Sequence, residues 1–256
     1  MFYTGIDIGS TATKAVVFDE TKEKILHKLI IPSGWNSKET SEKVLQWLES
    51  EGVTPDNSVI ISTGYGRISV PYADKQITEI TCHGKGALFL HPEDCTVIDI
   101  GGQDTKIIYL KDGMVTDFIM NDKCSAGTGK FLEVMANRLG ITMQEMFELA
   151  EKGEPITISS MCTVFAESEV VSLIAQNKAT DDIVHGLNKA VASKTAALAK
   201  RVGGEERYMM TGGVSKNQGL VKTLEEKLGT TLVISDKAQL CGALGAALFA
   251  KDMVTE

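Results

Sequence analysis

Two similar octapeptides in the sequence combine residues that could bind phosphate groups and a metal ion. Residues 7–14 read DIGSTATK and residues 99–106 read DIGGQDTK, with five of the eight positions identical. The glycines allow backbone N–H groups to approach an anion closely, and the lysine that ends each octapeptide offers a positive charge for phosphate. The aspartate that opens each one suits a hydrated Mg²⁺ ion, which prefers carboxylate and water oxygens. Two facing turns of this kind could clamp a nucleoside triphosphate.

Further polar side chains in the octapeptides extend this chemistry. Hydroxyl donors are present at Ser10, Thr11, Thr13 and Thr105. In the second octapeptide, Gln103 and Asp104 could position or deprotonate an attacking water. The candidate catalytic residues are therefore Asp7, Asp99, Gln103 and Asp104. The alternative is that each octapeptide is only a tight turn, but two matched copies that each follow an apolar strand favour phosphate binding.

A third segment with paired glycines, MMTGGVSKNQG at residues 209–219, joins an apolar strand to a helix. At Gly212 and Gly213 the backbone could pack against a flat ligand such as adenine, and Asn217 lies where the helix starts. The sequence contains neither a GxxxxGK[ST] loop nor a GxGxxG fingerprint, and CSAGTGK at residues 124–130 lacks the first glycine of a phosphate loop. The segment is a weak indicator alone and gains weight from its place after the two octapeptides.

The overall composition excludes several classes of protein. The chain has 256 residues, of which 43% are hydrophobic, and a formal net charge of −8, so we expect a sizeable core and no nucleic-acid partner. No apolar run is long enough to cross a bilayer, and the N-terminal MFYTGIDIGS has no basic region before an apolar stretch. We therefore expect neither a membrane partner nor a secretory leader. The cysteines are odd in number and include no CxxC pair, which argues against a disulfide framework or a closed zinc site and favours the reducing cytoplasm.

The hydrophobic pattern alternates between strands and helices along the chain. Apolar strands lead into both octapeptides and into Gly212, whereas helices dominate between about residues 128 and 202. This alternation predicts an α/β fold. Because the strand pattern restarts near residue 95, we predict one lobe over residues 1–94 and a second over residues 95–256, with the last helix packing back on the first lobe.

The order of these motifs resembles the superfamily that includes actin, hexokinase and the heat-shock chaperone ATPases. Within it, the chain is most similar to the BadF/BadG/BcrA/BcrD-type ATPases, and among these to the activators (component A) of 2-hydroxyacyl-CoA dehydratases. The similarity covers essentially the whole chain. It rests on the segments GIDIGSTATK, STGYGR, ADKQITEITCH, VIDIGGQDTK, MNDKCSAGTGKFLEVMA, SSMCTVFAESEV, TGGVSKNQG and QLCGALGAALFA. The resemblance implies a two-lobed actin-like ATPase fold made of duplicated ribonuclease H-like domains.

The resemblance also implies an activity, cofactors and partners. The activity is ATP-driven transfer of one low-potential electron to a dehydratase (component D) or a related iron–sulfur enzyme, with reduced ferredoxin or flavodoxin as the electron donor. One [4Fe-4S] cluster is held by a homodimer, and the matching ligands here are Cys124 and Cys162. ATP or ADP binds with Mg²⁺. The matching nucleotide-binding positions are Gly9, Ser10, Thr11, Ala12, Thr13, Lys14, Gly101, Gly102, Gln103, Gly212, Gly213, Asn217 and Gln239.

The residues around the two cysteines are compatible with this role. Cys124 and Cys162 each precede a segment with helical periodicity, and a helix N-terminus favours the negative charge of a cluster with four thiolate ligands. The spacing of 38 residues alone does not distinguish a ligand from a small buried apolar residue, which is our interpretation of Cys82, Cys95 and Cys241. One chain supplies two ligands, so a two-fold symmetric dimer would complete the set.

Other functions remain open from the sequence. A small-molecule kinase of the same fold would carry the same turns, although the chain has no visible insertion for a substrate domain. A non-redox ATPase that regulates a partner would also fit the nucleotide motifs. The sequence does not name the partner's substrate, and a reductase of the benzoyl-CoA reductase type or of a double-cubane protein would carry similar segments.

Overall fold

The computed structural model describes residues 1–19, 24–154, 156–158, 162–202, 204 and 206–255. The first three residues of the SSMCTVFAESEV segment, 159–161, lie outside the described residues. By its internal contacts the chain divides into two compact units. Unit 1 comprises residues 1–93, 110–115 and 239–256, and unit 2 comprises residues 94–109 and 116–238. The lobes drawn from the sequence, 1–94 and 95–256, stay a prediction.

Strands and helices alternate along much of the described chain, which confirms the predicted α/β fold. The strands are β1 (Phe2–Ile8), β2 (Ala12–Phe18), β3 (Ile25–Pro32), β4 (Ser58–Thr63), β5 (Lys75–Gln76), β6 (Cys95–Ile100), β7 (Thr105–Lys111), β8 (Met114–Asn121), β9 (Tyr208–Thr211) and β10 (Leu232–Ile234). The helices are α1 (Ser37–Ser50), α2 (Glu79–Leu90), α3 (Gly129–Leu139), α4 (Met143–Leu149), α5 (Thr163–Ala175), α6 (Thr180–Ala199), α7 (Gln218–Leu228) and α8 (Cys241–Thr255).

Unit 1 contains a five-stranded sheet with the order β3-β2-β1-β4-β5. The first three strands are antiparallel, whereas β4 runs parallel to β1 and β5 parallel to β4. β1 is buried over nearly its whole length, and the edge strand β3 alternates between half-buried and exposed residues. This alternation is expected of a strand with one face on the core, because side chains of successive residues point to opposite faces.

Helix α2 of unit 1 is not predicted by the hydrophobic pattern. Its sequence, EITCHGKGALFL, contains two glycines, which disfavour an isolated helix. One of them, Gly86, lies where α8 packs against α2. A Cβ atom at Gly86 would lie 2.0 Å from the carbonyl oxygen of Cys241, and one at Gly245 would lie 1.7 Å from that of Cys82. The close approach of the α2 and α8 backbones therefore stabilises α2 through tertiary contacts that the local sequence does not reveal.

Unit 2 contains the second five-stranded sheet, with the order β10-β9-β6-β7-β8. Strand β9 runs parallel to both β6 and β10. Residues of β6, β7 and β9 pack with helices α3, α6 and α7 in one buried hydrophobic cluster, which includes Ile98, Phe131, Leu187, Met210 and Leu224. The sheet and these helices together hold the ends of β6 and β9 in fixed positions.

The second sheet repeats the strand order of the first, with every strand number raised by five. In unit 1, Asp7 of β1 is paired in register with Thr63 of β4. In unit 2, Asp99 of β6 is paired in register with Thr211 of β9. The octapeptide repeat is therefore one part of a repeated five-strand arrangement, and Asp7 and Asp99 occupy equivalent positions in it.

Within the described residues, no helix combines the length and the apolar character that a membrane-spanning helix needs.

Candidate functional site

The first octapeptide forms the β1–β2 hairpin of unit 1, with Asp7 almost fully buried at its base. Lys14 Nζ lies 3.2 Å from Asp7 Oδ2, so the lysine and the aspartate of the motif form an ion pair across the hairpin. Asp7 Oδ1 is buried and has no hydrogen-bond partner among the described residues. A buried carboxylate oxygen without a partner is costly, and a hydrated cation is one group that could satisfy it.

The conformation of this hairpin depends on Ser33, which the sequence did not single out. The Ser33 hydroxyl donates a hydrogen bond to the carbonyl oxygen of Gly9 at 2.6 Å, and its backbone N–H donates to that of Thr11 at 3.0 Å. The Thr13 hydroxyl lies 2.8 Å from the same Ser33 oxygen and must donate to it, because the only proton of Ser33 is already used. The buried Thr13 hydroxyl thus supports the turn, while Ser10 and Thr11 at the tip reach solvent.

The second octapeptide forms the β6–β7 hairpin of unit 2 and buries its lysine. Lys106 Nζ lies 3.4 Å from Asp99 Oδ2 and 2.8 Å from Asp104 Oδ2, with a side chain that is 2% exposed. Asp99 Oδ1 also accepts a hydrogen bond of 2.9 Å from the Thr211 hydroxyl. The charge of Lys106 is therefore compensated inside the hairpin and is not presented to phosphate as the sequence suggested. Gln103 at the tip of the turn is exposed.

Each hairpin is covered by a loop that begins with threonine and glycine. In unit 1, Gly64 follows β4 with φ of 84°, and a Cβ atom there would lie 2.4 Å from Asp7 Oδ1. In unit 2, Gly212 follows β9 with φ of 88°, and a Cβ atom there would lie 2.4 Å from the Ile100 carbonyl oxygen. The sequence indicated a role for Gly212 but none for Gly64, whose equivalence becomes evident only from the paired registers of the two sheets.

The remaining predicted nucleotide-binding residues have different surroundings. Gly101 closes the second turn, where its N–H donates to the Asp104 carbonyl oxygen at 2.9 Å, and Gly213 starts a short 3₁₀ helix after Gly212. Asn217 is fully buried, caps α7 by accepting from the Leu220 N–H and donates to Asn188 Oδ1 at 2.8 Å. Gln239 belongs to unit 1, and its buried Oε1 has no hydrogen-bond partner among the described residues.

Substituting Gly212 tests how closely its loop fits over the strand end. Gly212→Ala is expected to lower the free energy of unfolding by about 3 kcal/mol, because it combines a left-handed backbone with a collision against the Ile100 carbonyl. The matched control is Gly229→Ala, where φ is 73° but no atom lies within 4 Å of the new Cβ. This control should lose only about 1 kcal/mol. Denaturant unfolding measures both values, and equal losses would contradict the close fit.

Cys124 lies in unit 2 in the loop between β8 and α3. Its side chain is half-buried, and its sulfur accepts a hydrogen bond of 3.3 Å from Lys194 Nζ. Asn121 donates to the Cys124 carbonyl oxygen at 2.9 Å, which holds the backbone of the loop. The thiol therefore lies beside the ammonium group of Lys194, in a loop whose backbone accepts a side-chain hydrogen bond.

Cys162 is exposed and occupies the N-cap position of α5. The residues that follow the two cysteines contact each other, because the hydroxyls of Ser125 and Thr163 lie 2.8 Å apart. Farther along, Arg138 of α3 pairs with Glu167 of α5 through both Nε and Nη2. The Cys124 loop and the start of α5 are thus joined, and Cys162 lies at a helix N-terminus, where the partial positive charge of the helix is concentrated.

The second hairpin is directly bonded to the loop that carries Cys124. The Thr105 hydroxyl donates to the carbonyl oxygen of Gly127 at 2.8 Å. In the other direction, the first two N–H groups of α3 donate to the hairpin, Gly129 to Gly101 at 2.9 Å and Lys130 to Gly102 at 2.7 Å. The three hydrogen bonds couple the glycines predicted to bind phosphate to the segment that holds a predicted metal ligand.

The other three cysteines are buried. Burial raises the pKa of Cys82 to about 12 and that of Cys95 to about 11, so both are neutral thiols at physiological pH. Cys241 donates to the His83 carbonyl oxygen at 3.4 Å. The full burial of all three side chains fits the predicted packing role.

Known proteins resemble this chain over nearly its full length. The family model of the BadF/BadG/BcrA/BcrD ATPases matches residues 4–250. The (R)-2-hydroxyglutaryl-CoA dehydratase activating ATPase of Acidaminococcus fermentans is 45% identical over 253 residues, covering 98% of this chain and 97% of that protein. The activator of lactoyl-CoA dehydratase of Anaerotignum propionicum has the same identity and the same two coverages.

A solved structure supports the same relationship in three dimensions. The activator of the 2-hydroxyisocaproyl-CoA dehydratase from Clostridium difficile with bound ADPNP is 41% identical, with a TM-score of 0.93 over 100% of this chain and 96% of that chain. The predicted actin-like ATPase fold, with its repeated α/β arrangement, is thereby confirmed. From the sequence match and the shared fold together, the chain belongs to the BadF/BadG/BcrA/BcrD ATPase family.

Proposed function

We propose that the protein is an ATP-dependent activator that delivers one low-potential electron to a 2-hydroxyacyl-CoA dehydratase or a related iron–sulfur enzyme. Relatives 45% identical over nearly their full length are activators of such dehydratases by name. The observation that carries the proposal is the set of three hydrogen bonds between the β6–β7 hairpin and the Cys124 loop. Through them, a nucleotide at the hairpin can act on the segment that holds the predicted cluster ligand.

For the nucleotide, unit 1 supplies the turn from Gly9 to Lys14 and the carboxylate of Asp7. The backbone N–H groups at the tip of the turn and the hydroxyls of Ser10 and Thr11 suit phosphate oxygens. Asp7 fits Mg²⁺, because its buried Oδ1 has no partner among the described residues. A bound Mg²⁺ ion would neutralise charge on the phosphate oxygens and on the leaving group.

In unit 2 the proposed catalytic roles divide between exposed and buried side chains. Gln103 is exposed at the tip of its hairpin and can orient a water for attack on the terminal phosphate. Asp99 and Asp104 both contact the buried Lys106, so they set the shape of the turn that presents Gln103. The N–H group of Gly102 can approach phosphate where Gly101 closes the turn through its own N–H. Gly212 and Gly213 offer a flat backbone surface to adenine.

For the cluster, Cys124 and Cys162 form a donor set that fits half of a [4Fe-4S] site. Both sit beside positive charge, Cys124 at Lys194 and Cys162 at the start of α5. Two thiolates per chain require a homodimer to complete four ligands. When bound, the cluster supplies one-electron transfer, with reduced ferredoxin or flavodoxin as the proposed donor. Cysteines outside disulfides also suit the reducing cytoplasm.

The coupling between the two sites would use residues of unit 2. A nucleotide-dependent shift of Gly101 and Gly102 pulls on the N-terminus of α3, and Thr105 pulls on Gly127. The Arg138–Glu167 pair carries the movement from α3 to α5, which begins next to Cys162. For one electron, about 300 mV corresponds to roughly 7 kcal/mol, which ATP binding and hydrolysis at two sites can supply.

The proposal is tested with anaerobically purified protein reconstituted with iron and sulfide. We expect a brown protein with about four irons per two chains, ATP hydrolysis that needs Mg²⁺, and ATP-dependent electron delivery to a purified 2-hydroxyacyl-CoA dehydratase. ATP should also change the rate at which a chelator removes iron. A colourless protein that instead phosphorylates a metabolite would show the kinase alternative to be right.

A further inference from the structure

Lys194 is held in place by an unusual backbone position next to Cys124. Gly127 has φ of 93°, and a Cβ atom there would lie 3.1 Å from Cδ of Lys194. The aliphatic part of the lysine therefore lies directly over the glycine, and its ammonium group reaches the Cys124 sulfur at 3.3 Å. Any other residue at position 127 would both strain the backbone and crowd the lysine.

The side chain of Lys194 lies in largely apolar surroundings beside the Cys124 sulfur. It lines a cavity of about 680 Å³ whose walls include Ile119, Phe131 and Leu198. The residues described as lining this cavity include no carboxylate, and the charged side chains among them are Lys194 and Arg201. Among the described residues, no carboxylate forms an ion pair with Lys194. Its ammonium group donates a hydrogen bond to the Cys124 sulfur. In largely apolar surroundings a charge acts more strongly than it does in water.

From these contacts we propose that Lys194 is a positioning residue that holds the Cys124 sulfur and favours the reduced state of the cluster. The inference rests on the proposed function. One electron from the reduced ferredoxin or flavodoxin donor adds one negative charge to the cluster, and the proposed step transfers no proton. The ammonium stabilises this added charge, and N–H···S bonds to ligand sulfurs are known to shift such potentials. Lys194 thereby makes the site reducible by the donor.

The same hydrogen-bond chain links this lysine to the nucleotide hairpin. Thr105 binds the carbonyl oxygen of Gly127, the residue over which the Lys194 side chain lies. Lys194 lies on α6, whereas the hairpin bonds described above go to α3. A movement of the hairpin would thus move Cys124 relative to the ammonium group.

The test compares reduction potentials of reconstituted Lys194→Gln, Lys194→Arg and Lys189→Gln proteins with that of the wild type. Lys189 is an exposed lysine on the same helix, so Lys189→Gln removes the same charge away from the sulfur. Titration followed by electron paramagnetic resonance should give a reduction equilibrium constant at least tenfold lower for Lys194→Gln, equivalent to about 59 mV for one electron. Lys194→Arg and Lys189→Gln should stay within about twofold of the wild type, a difference far below that tenfold step.

Each other outcome also decides the inference. Equal potentials for Lys194→Gln and Lys189→Gln would overturn it while leaving the proposed function intact. If Lys194→Gln folds but holds no iron, retention of iron by Lys194→Arg supports the contact with Cys124, and loss of iron from both overturns the charge-based role. A wild-type protein that holds no iron would overturn the proposed function itself, and the inference with it.

Discussion

Replacing Cys124 or Cys162 with serine is expected to abolish cluster binding while ATP binding continues. A serine hydroxyl has nearly the same size as a thiol but is a poor ligand for iron, so each substitution removes two of the four ligands of a symmetric dimer. The reconstituted variants should therefore be nearly colourless and nearly free of iron. Iron analysis and visible spectra measure this loss, and ATP binding by calorimetry should remain within about threefold of the wild type, well under 1 kcal/mol.

The structure offers a matched control for these two variants in Cys241. Its thiol donates a hydrogen bond to the His83 carbonyl oxygen, which a serine hydroxyl can also make. Cys241→Ser should therefore keep the full iron content and colour. If Cys124→Ser and Cys162→Ser retain as much iron as Cys241→Ser, the proposed ligands are wrong. If they lose ATP binding together with iron, the cysteine loops have a structural role that the proposed division of sites does not contain.

The features that were predictable from the sequence are those in which a motif carries its own conformation. The octapeptides predict the β1–β2 and β6–β7 turns directly, because aspartate, glycine and lysine recur at fixed offsets after apolar strands. Cys124 and Cys162 are predicted as ligands through the resemblance alone, since their separation of 38 residues has no local signature, and this role stays a prediction. The sequence pattern alone indicated that helices follow both cysteines.

The features that were missed depend on contacts between distant residues. Ser33 supports the first turn from the end of β3, and Lys194 reaches Cys124 across 70 positions of sequence. Helix α2 forms despite its glycines because α8 packs closely against it. Lys106 was interpreted as a phosphate ligand because the sequence of a glycine turn followed by lysine does not show whether the lysine is buried or exposed. Its burial depends on the fold around Asp99 and Asp104, which no short motif records.

The repeated sheet also distinguishes the two aspartates that the sequence treats alike. Asp99 uses one oxygen for Thr211 and the other for Lys106. Asp7 uses one oxygen for Lys14, and its second has no hydrogen-bond partner among the described residues. Mg²⁺ coordinates carboxylate oxygens, so Oδ1 of Asp7 is the oxygen that we propose for the ion. The carboxylate of Asp7 is therefore the more informative one to change.

Asp7→Asn is expected to lower kcat for Mg²⁺-dependent ATP hydrolysis at least about a hundredfold, because loss of a metal contact removes several kcal/mol of transition-state stabilisation. The amide keeps the size of the carboxylate, and its oxygen can still accept from Lys14, so the hairpin should keep its shape. Asp74→Asn is the matched control in unit 1. There a carboxylate oxygen accepts from the Ile60 N–H at 2.7 Å, a bond that an amide oxygen can replace, and ATP hydrolysis should be unchanged.

The cluster should be unaffected in Asp7→Asn, because the contacts described for Cys124 are with Lys194 and Asn121, whereas the ion pair of Asp7 is with Lys14. Iron content and the reduction potential without nucleotide should therefore match the wild type, while ATP-dependent electron delivery to the dehydratase falls with hydrolysis. Unchanged iron content together with lowered hydrolysis would show that the residue acts in ATP hydrolysis and not in cluster binding. Hydrolysis at the rate of Asp74→Asn would exclude Asp7 as a metal-binding residue and would return Asp99 to consideration. Normal electron delivery without hydrolysis would mean that nucleotide binding alone, acting through the hairpin and the Cys124 loop, supplies the required free energy.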